Sequence, residues 1–336
     1  MSAEPSRDLD RVADLPTPPE HLHLVGHDTA FRNVIDAHAT NRLHHAWLLT
    51  GPKGIGKETL AYRLAAALLA GCQDHVTEND PTARQIAARS HPNLLTIDRP
   101  WDEKSKRHSS IIPVSEVRRT QAFFGMTAGE AALRICIVNG AEDMNVSAAN
   151  ALLKILEEPP PRSIFLVVSH APGRLLPTIR SRCRRLAVSS LSDGEVGDVV
   201  ERLAGKRIPN VAAMNGNPRR ALEVATQGEH ATAAEFFEAA RAANWQVAHS
   251  TADRLSPRAA ERSFELFLEM VRESIGKTVR AAPQRAASYA DAWSWMEESV
   301  SEAQAFNLDR KQLVLDLFDR LVEAHRTSTR SARPAA

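Results

Sequence analysis

Cysteine is scarce in this chain of 336 residues: Cys72, Cys136 and Cys183 stand far apart in sequence. No CxxC pair and no His/Cys grouping at metal-ligand spacing accompanies them, so neither a disulfide framework nor a zinc site is supported. Free thiols fit a reducing compartment, and the cytoplasm is the expected location. Aromatic residues make up only 5% of the chain and the formal net charge is +1, which together argue against a pure nucleic-acid-binding module. Local basic patches remain compatible with that balance. No apolar run approaches the length of a membrane span. The segment Met1 to Pro19 is charged and Pro-rich without an apolar stretch, unlike a secretory leader.

What is present is an ordinary globular composition, 43% hydrophobic and 25% charged, in a chain long enough for two or three domains. Residues 1 to 20, with Pro5, Pro16, Pro18 and Pro19, read as a disordered lead-in. Leu24 to Asn41 has helical spacing of its apolar residues, and Ala46 to Thr50 reads as a buried strand. A Gly-rich segment and a helix over Thr59 to Ala70 follow. Further strands are expected over Asn93 to Asp98, Leu133 to Val138 and Ser163 to Ser169. Helices are expected over Val114 to Met126 and Ser147 to Glu157, the latter stopped by Pro159-Pro160-Pro161. Strands alternating with helices at this spacing predict a doubly wound parallel α/β domain up to about residue 188. Ser192-Asp193-Gly194-Glu195 resembles a capped helix start, opening a small helical unit over 189 to 228. From 231 to 325 the pattern is helical throughout, with an apolar stripe of Phe264, Leu266, Phe267, Met270 and Val271, and residues 326 to 336 read as a disordered tail.

The chemistry concentrates in Gly51-x-x-Gly54-x-Gly56-Lys57, which follows a strand and opens a helix as a phosphate-binding loop requires. Glycines let backbone N–H groups turn around a phosphate, the helix N-terminus favours negative charge, and Lys57 can reach the β- and γ-phosphates. The next residue should be Ser or Thr to hold Mg²⁺, yet it is Glu58; Thr59 lies about 100° further round the helix. The neighbouring strand should end in acids for the metal and the attacking water, yet it ends in Asn139-Gly140. Glu142 and Asp143 are expected on an exposed turn, too far along to occupy the strand tip. Nucleotide binding is compatible with these residues; hydrolysis is not supported.

The motifs taken in order resemble the AAA+ clamp-loader subunits of bacterial DNA polymerase III. Arg42-Leu43-His44-His45-Ala46-Trp47, Ser90-His91-Pro92, the segment Ala148 to Pro160 (AANALLKILEEPP) and Leu176-Pro177-Thr178-Ile179-Arg180-Ser181-Arg182-Cys183 carry the likeness, over about residues 24 to 188. The resemblance implies a P-loop AAA+ core over 21 to 188, a helical lid over 189 to 228 and a helical oligomerisation collar over 231 to 325. It implies that Arg182 is an arginine finger acting in trans on a neighbouring ATPase subunit. It places Gly51, Gly54, Gly56, Lys57, Thr59 and the lid residue Arg219 around a degenerate nucleotide site that holds ATP or ADP without hydrolysis. His170 occupies the strand end where a sensor residue is common, and Cys183 reads as a small buried packing residue. The zinc module carried by ATPase members has no counterpart in Gly71 to Ser90, where only Cys72 stands. The implied role is that of a non-hydrolysing subunit of a DNA polymerase holoenzyme, helping to load the sliding clamp during replication. The implied partners are the gamma/tau ATPase subunits, the delta subunit, indirectly the clamp, and primer-template DNA, with no membrane. For the arginine cluster Arg174, Arg180, Arg182, Arg184 and Arg185, contact with DNA and internal packing both stay open. The alternative is an autonomous P-loop ATPase or phosphotransferase that uses Glu58 as a metal ligand.

Overall fold

The computed structural model describes residues 11–71, 76–104, 107–125, 133–208, 211–227, 230–257, 260–306 and 309–330. Cys72 lies outside them. The chain divides into two compact units, one up to Thr226 and one from Gln227 onward.

The first unit is built on a five-stranded parallel sheet. Its strands are β1 (Ala46–Thr50), β2 (Leu94–Ile97), β5 (Arg134–Val138), β6 (Ser163–Ser169) and β7 (Arg184–Ala187), in spatial order β2-β5-β6-β1-β7. All four pairings are parallel. Every residue of β1, β5 and β6 is buried, because helices cover both faces and leave no solvated side to alternate with. Alternation survives as a division between two cores. Trp47, Leu49, Ile135, Ile137, Leu166 and Val168 face one side, beneath α1 (Asp28–Ala39), α2 (Lys57–Leu69) and α3 (Pro81–Ala87). Leu48, Cys136, Val138, Phe165 and Val167 face the other, against α4 (Val114–Gly125), α5 (Val146–Glu157) and α6 (Pro177–Arg182).

Several elements differ from expectation. The described part of the lead-in is packed onto the domain: Val12 and Thr17 are buried, and Arg11 pairs with Glu20 at 2.9 Å. The first helix begins only at Asp28, because Gly26 and His27 both take left-handed conformations, with φ of 65° and 60°. Helix α3 lies in Gly71 to Ser90, where no element is expected; Asp80 caps it by accepting from the Thr82 N–H, and Pro81 opens its first turn. A short antiparallel ribbon, β3 (Trp101–Asp102) with β4 (Arg107–His108), lies between the second strand and α4. Strand β7 occupies part of the arginine cluster, and its two arginines, though exposed, contact β1. The Arg184 guanidinium sits 4.8 Å from the Trp47 ring centre, and Arg185 Nε donates to Thr50 Oγ1 at 3.2 Å.

The lid comprises α7 (Asp193–Ala204), a 3-10 turn (Val211–Met214) and α8 (Pro218–Gln227), and packs within the same unit as the sheet. Its first helix carries the expected cap: Ser192 Oγ accepts from the Glu195 N–H, and the Glu195 carboxylate accepts from the Ser192 N–H.

The second unit is wholly helical among the described residues: α9 (His230–Ala242), α10 (Trp245–Leu255), α11 (Glu261–Ala281), α12 (Ala286–Phe306) and α13 (Arg310–Arg330). The helix runs five residues past the point where a disordered tail is expected, and residues 331 to 336 lie outside the description. Phe264, Leu266, Phe267, Met270 and Val271 are all buried, as their spacing predicts. Phe236 anchors the bundle with its ring edge-on to Phe267 and Phe318 at 4.9 and 5.1 Å.

Candidate functional site

The phosphate-binding loop leaves the carboxyl end of β1, between the carboxyl ends of β6 and β7, where open α/β sheets place their ligands. Two of its glycines are sterically required. A Cβ on Gly51 would lie 2.3 Å from the Val188 carbonyl oxygen, and one on Gly54, whose φ is 79°, would lie 2.5 Å from Asn217 Oδ1. Lys57, Glu58 and Thr59 form the first turn of α2 and line a cavity of about 450 Å³.

Lys57 is buried and donates from Nζ to the carbonyl oxygens of Gly51, at 2.8 Å, and Pro52. Burial lowers its amine to about 8; the Glu142 carboxylate opposes that shift, and Lys53 adds to it. Glu58 lies on the same helix face as Tyr62, four residues on, and its charge reinforces the burial that raises the Tyr62 phenol. Tyr62 in turn shares a hydrogen bond with Thr96 at 3.1 Å.

At the tip of β5, Asn139 is buried and its N–H donates to Ile97 at 2.8 Å, joining the ends of β5 and β2. Gly140 takes a left-handed conformation, φ 66°, and opens a 3-10 turn over Ala141–Asp143. That turn overturns one expectation. Glu142 is half-buried, faces the cavity, and accepts at Oε1 from the N–H groups of His170 (2.8 Å) and Ala171 (3.1 Å). Burial alone would raise its carboxyl, but hydrogen bonds from backbone N–H groups and the nearby His170 hold it below the usual range. The 3-10 turn folds the acid back under the end of β6, something spacing along the chain does not reveal. Asp143 lies 3.5 Å from Arg99 Nε.

The lid closes on the outer side of the loop. Asn217 Nδ2 donates to the Lys53 carbonyl at 2.9 Å, and the Arg219 N–H donates to the Gly54 carbonyl at 3.2 Å. The Arg219 side chain reaches Glu223 at 3.3 Å while lining the cavity. His27 Nε2 bonds the Ile55 carbonyl at 2.7 Å. Val12, Leu15, Pro16 and Pro18 close the remaining side. Asn217, His27, Arg99 and this N-terminal strap are not found by motif reading; only the pairing of Gly216 with Asn217 marks a turn.

Arg182 is not among the residues lining the cavity. It ends α6, half-exposed, with Nη2 2.7 Å from Glu157 and Nη1 donating to the Thr178 carbonyl at 3.1 Å. Cys183 is half-buried rather than fully buried, and burial pushes its thiol up to about 12. Among the described residues no group of His, Cys, Asp and Glu is arranged to hold a metal ion.

A family model described as "DNA polymerase III, delta subunit" matches residues 26–192. The chain is 42% identical over 143 residues to the DNA polymerase III subunit delta' of Pseudomonas aeruginosa, covering 41% of each protein. Over this matched region the chain is similar to DNA polymerase III delta' subunits. It is also 31% identical over 165 residues to the DNA polymerase III subunit gamma/tau of Mycobacterium tuberculosis, covering 49% of this chain and 28% of that one. A solved structure of a gamma-subunit-related protein from Thermotoga maritima is similar at 17% identity and a TM-score of 0.45, covering 88% of this chain and all of that one. The chain thus spans less than half the length of both curated relatives named here. The family match takes in β1 to β7 and the phosphate-binding loop and ends at Ser192, the cap of α7.

Proposed function

We propose that this chain is a non-hydrolysing clamp-loader subunit that supplies Arg182 in trans to the ATP site of a neighbouring gamma/tau subunit, helping to place the sliding clamp on primed DNA. The observation that carries this reading is the contrast between its two functional features. The loop keeps its glycines and Lys57, but a left-handed glycine turn stands where the catalytic acid would be needed. Arg182, by contrast, presents a half-exposed guanidinium at the end of α6, outside the chain's own cavity. A guanidinium supplied by a neighbour stabilises charge developing on a transferred phosphoryl group. The second unit, with its buried aromatic core, would serve as the collar, and the gamma/tau and delta subunits as its partners.

The residues at the loop fit a nucleoside phosphate. A helix N-terminus, a buried ammonium and a cavity with an apolar wall of Leu15, Leu24, Val199, Leu203 and Leu222 suit a phosphate chain and a base. Such a nucleotide would be a structural ligand rather than a substrate, with Arg219 and Asn217 fixing the lid over the loop.

Steady-state ATP hydrolysis by the purified chain, alone and mixed with gamma/tau and delta, tests the proposal. No turnover alone and a raised rate in the mixture are expected. Steady turnover by the chain alone, abolished by Lys57→Ala, would instead favour the autonomous ATPase.

A further inference from the structure

A cation from the neighbouring strand end lines the loop's own cavity. Arg99 follows β2, the strand beside β5, and the Asn139–Ile97 hydrogen bond ties the two strand ends together. The guanidinium lines the same cavity as Lys53, Lys57 and Asn139, and its Nε lies 3.5 Å from Asp143 Oδ2. The usual magnesium ligands are replaced, the hydroxyl after Lys57 by Glu58 and the strand-tip acids by Asn139 and Gly140. Glu142 is turned to the backbone N–H groups of His170 and Ala171.

We propose that the cavity binds a nucleoside di- or triphosphate as the metal-free anion, with Arg99 taking the place of the divalent cation. This rests on the nucleotide-binding reading of the loop given above. The planar guanidinium fork suits phosphate oxygens and supplies charge without demanding oxygen ligands in octahedral geometry. A divalent ion entering beside Arg99 and Lys57 would meet like charge, and the magnesium complex carries less negative charge for those side chains to attract. Magnesium therefore competes with the site for the ligand. Asp143 is the resting partner of Arg99. The pair is about one-third exposed on each side, so exchanging the carboxylate for a phosphate costs little.

Calorimetric titration of the full chain with ADP, in excess EDTA and in excess magnesium, decides the matter. Binding is expected in EDTA, with magnesium weakening it severalfold. Arg99→Gln should weaken the EDTA affinity by about tenfold or more, the scale of a lost charged hydrogen bond, and remove the magnesium penalty. Asp143→Asn, which leaves Arg99 in place, should tighten binding, so that loss in Arg99→Gln cannot be confused with damage to the 3-10 turn. Binding that requires magnesium, or an Arg99→Gln affinity in EDTA equal to that of the wild type, overturns the proposal while leaving nucleotide binding intact. No binding in either buffer overturns the nucleotide reading and this inference with it.

Discussion

Lys57 shows how much one residue's surroundings add to its motif. The Gly51–Lys57 spacing is enough to mark a phosphate-binding loop, and the missing hydroxyl at Glu58 is legible in the same line. The state of the ammonium is not: it depends on burial and on Glu142, which only the 3-10 turn brings into the cavity. Its amine is lowered to about 8 from an ordinary value of 10.5. The ammonium is therefore present below about pH 8 and lost above it, so phosphate binding should weaken as pH rises from 7 to 9. Carbon-13 shifts of the Lys57 side chain should show a midpoint near 8 in the free chain, moving upward when ADP is added. A midpoint near 10.5 would mean the buried environment is wrong. The Glu142 carboxyl moves the opposite way in effect: held low by hydrogen bonds, it stays charged at neutral pH and helps keep Lys57 protonated.

At the scale of elements, the central strands were readable because helices on both faces turn them into unbroken apolar runs; the expected and observed limits of β6 coincide at Ser163 and Ser169. Strand β7 was hidden because it lies at the sheet edge, where Arg184 and Arg185 cover Trp47 and Thr50 with their side chains instead of a hydrophobic pattern. Helix α3 had a signal, Asp80 followed by Pro81, masked by its polar surroundings. The lid helix α7 was announced by its capping box, and that device has a measurable worth. Ser192→Ala should lower stability by about 1 kcal/mol, read from the urea midpoint of the whole chain with the slope unchanged. The Glu195 carboxyl is held below its usual value chiefly by the Ser192 N–H. That part of the cap is therefore present above the ordinary carboxylate range and lost as pH falls through the lowered value. An unchanged midpoint in Ser192→Ala would show that packing, not capping, sets the start of α7.

At the scale of the whole molecule, the sequence separates a sheet domain from a helical one, but it overstates the independence of the lid. Asn217 and Arg219 bond the loop's own carbonyls, so lid and sheet form one unit and the division falls near Thr226. Arg182 lies apart from the cavity, held by Glu157 and Thr178. On the proposed reading, a chain organised in this way would influence chemistry next door rather than perform it. The most direct test is ATP hydrolysis by a reconstituted complex in which this subunit carries Arg182→Ala, with assembly verified by size. The rate attributable to the neighbouring site should fall on the order of 10³-fold while the complex remains intact. A fully assembled complex hydrolysing ATP at the wild-type rate would contradict the account.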